Sequence, residues 1–200
     1  MPGYLRLLPL ILLLAALPAG AAPAPAPIDV QSYSLDLEVD PAGKSIAGEV
    51  EVRFASQAER LAEAVLDAPG LTIESVRTAE QALPFQIDGD RVRVPLDPPA
   101  RRGEVRTLEI RYAGRPEKGM RFGPDLVFTF FQTSRWMVSK DDPGDKATLA
   151  LRLVLPAGLD SAASGRPGAR ETLPDGRVRH VWTEDRPVSP YLYGFAAGQF

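Results

Sequence analysis

The 200-residue chain contains no cysteine, no asparagine and a single histidine. Without cysteine there is no disulfide framework, no thiolate metal site, no cysteine nucleophile and no lipid-modified cysteine anchor. One imidazole excludes any centre that draws two histidines from one copy of the chain. The lack of asparagine removes every N-glycosylation sequon. Lysine is scarce, four residues against nineteen arginines, and the net charge is −3 with the two signs interspersed. That balance excludes an electrostatic nucleic-acid binder. The G-x-x-x-x-G-K-[ST] and G-x-G-x-x-G phosphate cradles are missing, and so is the G-x-S-x-G nucleophile elbow. The excess of arginine, alanine, proline and glycine fits a GC-rich, bacterial coding sequence and carries no information about the fold.

The first element present is an export signal, residues 1–21. Arg6 supplies the positive start, Leu7 to Leu17 an apolar run broken by Pro9, and Ala19-Gly20-Ala21 the small residues of a cleavage site. As a helix, that run spans ~16 Å against roughly 30 Å of hydrocarbon, so a stable membrane span is not expected. Residues 22–27 alternate alanine and proline and form an extended tether. An exported chain without cysteine suits the periplasm, or secretion that does not rely on oxidation.

From residue 28 to 200 the hydrophobic pattern has mostly period two. Tyr33, Leu35, Leu37 and Val39 alternate with polar residues up to Asp40-Pro41-Ala42-Gly43, where proline presets a turn. Ile46, Gly48, Val50, Val52 and Phe54 return, which predicts an antiparallel hairpin with one buried face. Asp88-Gly89 is a short-hairpin signal before Val92, Val94 and Leu96. Leu108, Ile110 and Tyr112 alternate, and so do Leu149, Leu151, Leu153 and Leu155, until Pro156 ends the run. Leu126 to Phe131 reads as a strand buried on both faces; Val178 to Trp182 follows the turn Pro174-Asp175-Gly176, and Tyr191, Tyr193 and Phe195 close the chain. Gln57 to Ala64 is the one segment that suggests a helical turn. Short strands separated by Gly/Pro turns predict an all-β fold, a mostly antiparallel β-sandwich.

Few residues carry a chemical signature. His180 lies inside a predicted strand with no serine elbow to serve, so it reads as a surface or packing residue, and His180→Gln should leave activity or binding unchanged. Asp141-Asp142-Pro143-Gly144-Asp145-Lys146 is the densest charged cluster. Its carboxylates suit calcium in type but not in spacing. A capped, salt-bridged loop is the plainer reading, with Lys146 competing for the carboxylates. Phe128, Phe130, Phe131 and Trp136 suggest core more than a ligand groove.

Four segments, in order and at the right spacing, resemble the N-terminal domain of M1-family, aminopeptidase N-like zinc metallopeptidases. Ile28 to Leu37, followed by Ile46-Ala47-Gly48-Glu49-Val50, is similar to the start of that domain. Asp141-Asp142-Pro143 and Lys146-Ala147-Thr148 are similar to its D-E-P…K-A-T segment, Leu153 to Leu159 to the strand and turn after it, and Pro187 to Phe200 to its last strand. The resemblance implies a saddle-like β-sandwich packed against a separate catalytic domain. It also implies chemistry that lies elsewhere. The family's zinc is held by an H-E-x-x-H helix and a downstream glutamate, and neither that motif nor the family's G-A-M-E-N-type segment occurs here. Phe200 stands about where the catalytic domain begins in the family. The family's N-terminal domain lends one Gln or Glu to the substrate pocket from a Q-x-E stretch. Gln132, in Thr129 to Trp136, is the nearest counterpart and the one substrate-binding residue the resemblance assigns.

Three functions remain open on these grounds. The first is a non-catalytic N-terminal domain of an M1-like aminopeptidase, inactive alone, with no metal or cofactor of its own and the catalytic domain as partner. The second is an exported β-sandwich that binds another protein or a peptide without catalysis. The third, an independent carboxylate hydrolase, has no motif behind it. A fragment of a larger enzyme should expose an apolar face, for which Tyr191, Tyr193, Phe195 and Phe200 are the candidates.

Overall fold

A computed structural model describes residues 27–123 and 125–200. The export signal, and the tether up to residue 26, lie outside the described residues. Fifteen strands follow in chain order: β1 (Ile28–Asp40), β2 (Ser45–Ser56), β3 (Leu61–Asp67), β4 (Leu71–Arg77), β5 (Ala82–Leu83), β6 (Gln86–Asp88), β7 (Arg91–Ala100), β8 (Val105–Gly114), β9 (Met120–Phe122), β10 (Leu126–Thr129), β11 (Ala147–Leu155), β12 (Asp160–Ala163), β13 (Arg166–Thr172), β14 (Val178–Val188) and β15 (Phe195–Gly198). Two single 3-10 turns, Thr133–Arg135 and Pro190–Leu192, interrupt them. The fold is all-β, as the alternation predicts. Among the described residues no helix is long and apolar enough to cross a membrane.

The main sheet has eight strands in the order β13-β14-β11-β1-β2-β8-β4-β5. Its pairs are antiparallel except β1 with β11. A four-stranded sheet (β12-β15-β10-β9) and a three-stranded sheet (β3-β7-β6) share its core. Leu35, Leu37, Val50, Val52, Ile110 and Leu153 are fully buried on one face of the main sheet. Each contributes about 1.5–3 kcal/mol through removal of its side chain from water. The other face is charged. Asp36 lies opposite Arg152 and Glu49 opposite Arg111, with ion pairs of 2.7 and 2.6 Å. Such exposed pairs add little energy, but they keep that face wet and so pin the strand register.

Gly48 shows how one residue serves the packing. A Cβ at this position would collide with the ring of Tyr112 on the neighbouring β8. The space lets the buried Tyr112 ring lie across β2 and donate its hydroxyl to the Trp136 carbonyl at 2.9 Å. Burial pushes the Tyr112 phenol above its ordinary range, so the hydroxyl stays a donor.

Three local expectations fail, each for a physical reason. Gln57 to Ala64 makes no helical turn; its end belongs to β3, where Leu61, Ala64 and Leu66 face the core. The apolar run Leu126 to Phe131 is not one buried strand. β10 stops at Thr129, and Phe130 and Phe131 turn outward where the backbone enters the left-handed region. Tyr191 lies in a 3-10 turn begun by Pro190 rather than in a strand. The Asp88-Gly89 turn does form between β6 and β7, with Gly89 at φ +60°.

Candidate functional site

Four separated segments meet around a polar hollow of about 390 Å³. The end of β3 brings Asp67 and Pro69, and the β6–β7 turn brings Asp90 and Arg91. The turn after β10 brings Gln132, Ser134 and Arg135, and the loop before β11 brings Asp141. Asp67 ties these pieces together. Its backbone exchanges two hydrogen bonds with Ser139 at 2.7 and 3.1 Å. Its carboxylate accepts the Asp141 N–H at 2.9 Å and lies 3.4 Å from the Arg91 guanidinium. The Ser134 hydroxyl donates to Asp141 at 2.7 Å.

Gln132 is exposed and lines this hollow. It and Phe131 have φ of +43° and +41°, two consecutive non-glycine residues in the left-handed region. That conformation is strained for an L side chain and persists only where surrounding contacts hold it. Here the holding contacts are visible. The Phe130 N–H donates to the Gly119 carbonyl at 3.0 Å. Gly119 leaves room for the loop, because a Cβ there would come within 2.7 Å of the Gln132 carbonyl oxygen and 3.0 Å of Arg135. The Thr133 hydroxyl donates to the Pro190 carbonyl at 2.6 Å and locks the two 3-10 turns side by side. Trp136, fully buried and edge-on to Phe195 at 5.6 Å, anchors the far end of the segment. Gln132, exposed, and Arg135, half-buried, both line the hollow, which brings an amide and a guanidinium to its wall.

Beside it, the Asp141–Lys146 segment is a structural knot. Asp142 caps the turn by accepting the Gly144 N–H at 2.8 Å. The buried Asp145 accepts the Val30 N–H at 3.0 Å and pairs with Lys140 at 2.5 Å. Lys140, not the exposed Lys146, is the cation that competes for the carboxylates. Burial raises the Asp145 carboxyl above the usual carboxylate range, with Lys140 and the Val30 amide pulling the other way. The Lys140 N–H donates to the Tyr33 hydroxyl at 3.0 Å, and the Tyr33 ring stands edge-on to Tyr193 at 6.0 Å. The knot thus fastens the hollow to β1.

The aromatic cluster divides. Trp136 is core, whereas Phe131 is 69% and Phe130 38% exposed. The apolar candidates near the chain's end divide too. Tyr193 and Phe195 are buried, while Tyr191 and Leu192, on the turn beside Phe131, are 41% and 54% exposed and Phe200 is 73% exposed. The sequence pointed to Gln132 and Asp141 but not to Asp67, Asp90, Arg91 or Arg135. No spacing signals them, since turn-forming segments remote in sequence deliver each one.

The hollow sits on an all-β domain of three sheets around one core. Domains of that architecture are found in the M1 zinc metallopeptidase of Deinococcus radiodurans. The present chain is 28% identical to that enzyme's crystal structure, with a TM-score of 0.80 over 86% of this chain and 42% of that one. The same figures hold for a variant of the enzyme bound to a Tyr-Ser-Ala substrate, and for a variant described as two-domain and bound to L-tryptophan. The resemblance to M1 zinc metallopeptidases is therefore shown in three dimensions, and the chain spans less than half the length of the structures it matches. No protein-family model and no curated protein matches it.

These relatives are zinc enzymes, and the residues present here do not fit a zinc site. Among the described residues no three His, Cys, Asp or Glu side chains gather around a common point. The Asp67 and Asp141 carboxylates of the hollow are instead engaged by Arg91, Ser134 and the Asp141 backbone amide.

Proposed function

We propose that this chain is a non-catalytic β-sandwich domain of an M1-like zinc aminopeptidase, forming one wall of a peptide cleft whose metal site lies in a separate catalytic domain. The parent enzyme would remove N-terminal residues from peptides. Gln132 would face the peptide, its amide pairing with a backbone carbonyl or N–H. Residues 1–21 would send the protein out of the cytoplasm, to the periplasm or beyond.

The observation that carries this reading is the three-dimensional likeness over 86% of this chain to 42% of an M1 zinc metallopeptidase. The turns next to the hollow support it. Phe131, Tyr191 and Leu192 are large, apolar and exposed on neighbouring turns. Two of the residues there hold strained backbone. Aromatic side chains exposed beside polar groups characterise surfaces that are covered in an assembly.

The test has two parts. The coding sequence beyond codon 200 should continue in frame into an H-E-x-x-H motif. The purified 200-residue chain, supplied with zinc and an aminoacyl amide, should show no turnover above background. Zinc-dependent hydrolysis by the isolated chain would refute the assignment.

A further inference from the structure

His180 takes no part in the hollow, yet its surroundings are specific. It lies on β14, only 6% exposed. Its Nδ1 is 3.0 Å from the Ser161 hydroxyl oxygen on β12. The Trp182 indole N–H, two residues along β14, donates to that same oxygen at 3.0 Å. One serine hydroxyl is therefore gripped by two side chains of the main sheet while its own strand belongs to the four-stranded sheet. The other ring nitrogen, Nε2, is buried without a partner.

We propose that His180, Ser161 and Trp182 form an acid-released latch between β12 and the main sheet. With the ring neutral, Ser161 accepts from Trp182 and shares one proton with Nδ1, and the contact closes. A second ring proton must place an N–H at both nitrogens. Whichever nitrogen held the neutral ring's proton, the charged ring leaves Nε2–H without an acceptor, bars the Ser161 hydroxyl from donating to Nδ1, and sets its charge against the Arg170 guanidinium. The groups facing the ring do not rescue it. β11 presents Leu153 directly opposite, and β13 presents Arg170 opposite on the other side. Asp160 on β12 is the nearest anion, and it is already paired with Arg170. The cheapest response to protonation is for β12 to lift off and admit water to the ring.

Burial, and then Arg170, hold the His180 pKa below its ordinary value near 6.5. The folded chain then binds fewer protons than the unfolded chain once pH falls below about 6.5. Stability supplied by the neutral ring is full above that point and is lost as pH falls through it toward the folded value. Asp145 acts in the opposite direction. Its raised pKa makes the folded state the better proton binder just above pH 3.8, so its protonation favours the fold. Loss of β12 on mild acidification is therefore a signature of His180. The latch belongs to this chain alone and works whether or not a peptidase domain sits beside it. It acts on the sheet that carries β10 and β15, which frame the turns around Gln132.

The test uses the full chain without a histidine tag, so that its one imidazole gives one titrating resonance. We expect that resonance to titrate below pH 6.5. Over the same range, amide protection at 160–163, corrected for intrinsic exchange, should fall relative to β1 and β2, by a factor set by the gap between the opened and folded ring pKa values. In His180→Gln the pH step should vanish. In Ser161→Ala the protection should be low at every pH. A ring that titrates while β12 protection stays level would overturn the latch, as would a step that persists in His180→Gln. If His180→Gln does not fold, the wild-type titration decides alone.

Discussion

The centre of the main sheet and the turns around Gln132 are built on opposite rules. Along the middle of β1, β2, β8 and β11, the inward positions are apolar and buried, the outward ones are mostly charged or polar, and the strands pair in continuous register. Around Phe131, Gln132 and Pro190–Leu192 the same chain exposes aromatics, adopts left-handed backbone and turns an amide and a guanidinium toward a solvent-filled hollow. The first region is satisfied within this chain. The second is rigidly held but unsatisfied, as expected of a surface completed by something else. Local order and local satisfaction are thus separate properties, and the proposed function draws on the place where they part.

This contrast can be broken most forcefully at the centre. Leu35→Ala should lower unfolding free energy by about 2–5 kcal/mol, read from denaturant melts, because a fully buried side chain leaves a cavity. Gly48→Ala should follow at roughly 1–3 kcal/mol, since the new methyl meets the Tyr112 ring, which cannot retreat without losing its bond to Trp136. In the knot, Asp145→Ala strands the Val30 N–H and the Lys140 ammonium and should cost about 2–3 kcal/mol. Phe131→Gly, at 69% exposure and φ +41°, should have the smallest effect: no loss, or a gain of up to ~1 kcal/mol from relieved backbone strain. A loss above about 2 kcal/mol in Phe131→Gly would mean that Phe131 serves this fold and not a partner.

The two regions also differ in how well the sequence announced them. Alternation at Tyr33 to Val39 and at Leu149 to Leu155 marks the centre because a half-buried strand demands period two. The Asp88-Gly89 turn is equally plain, since its backbone needs a positive φ. What the pattern missed lies where apolar residues face solvent. Leu126 to Phe131 looks like a buried strand because hydrophobicity alone cannot tell a core residue from one reserved for an interface. The hollow is harder still. Asp67, Asp90, Arg91 and Arg135 converge only through the β3–β7 pairing and the Asp67–Ser139 bridge, contacts that no local spacing encodes. Gln132 was reached by family resemblance, and nothing in its neighbours would have singled it out. His180 reads in the sequence as a surface or packing residue, and the structure buries it; its bond to Ser161 depends on β12 and β14 meeting across two sheets.

The central claim is that this domain supplies a cleft wall and not an active centre. Its most direct test is a chimaera in which residues 28–200 replace the matching portion of the Deinococcus M1 zinc metallopeptidase, assayed for hydrolysis of Tyr-Ser-Ala. The account predicts a folded, zinc-loaded chimaera that turns over the tripeptide, with kcat/KM falling roughly tenfold or more in Gln132→Ala through loss of a contact worth about 1.4 kcal/mol. A folded, zinc-loaded chimaera that is inactive, or one indifferent to Gln132→Ala, would contradict it.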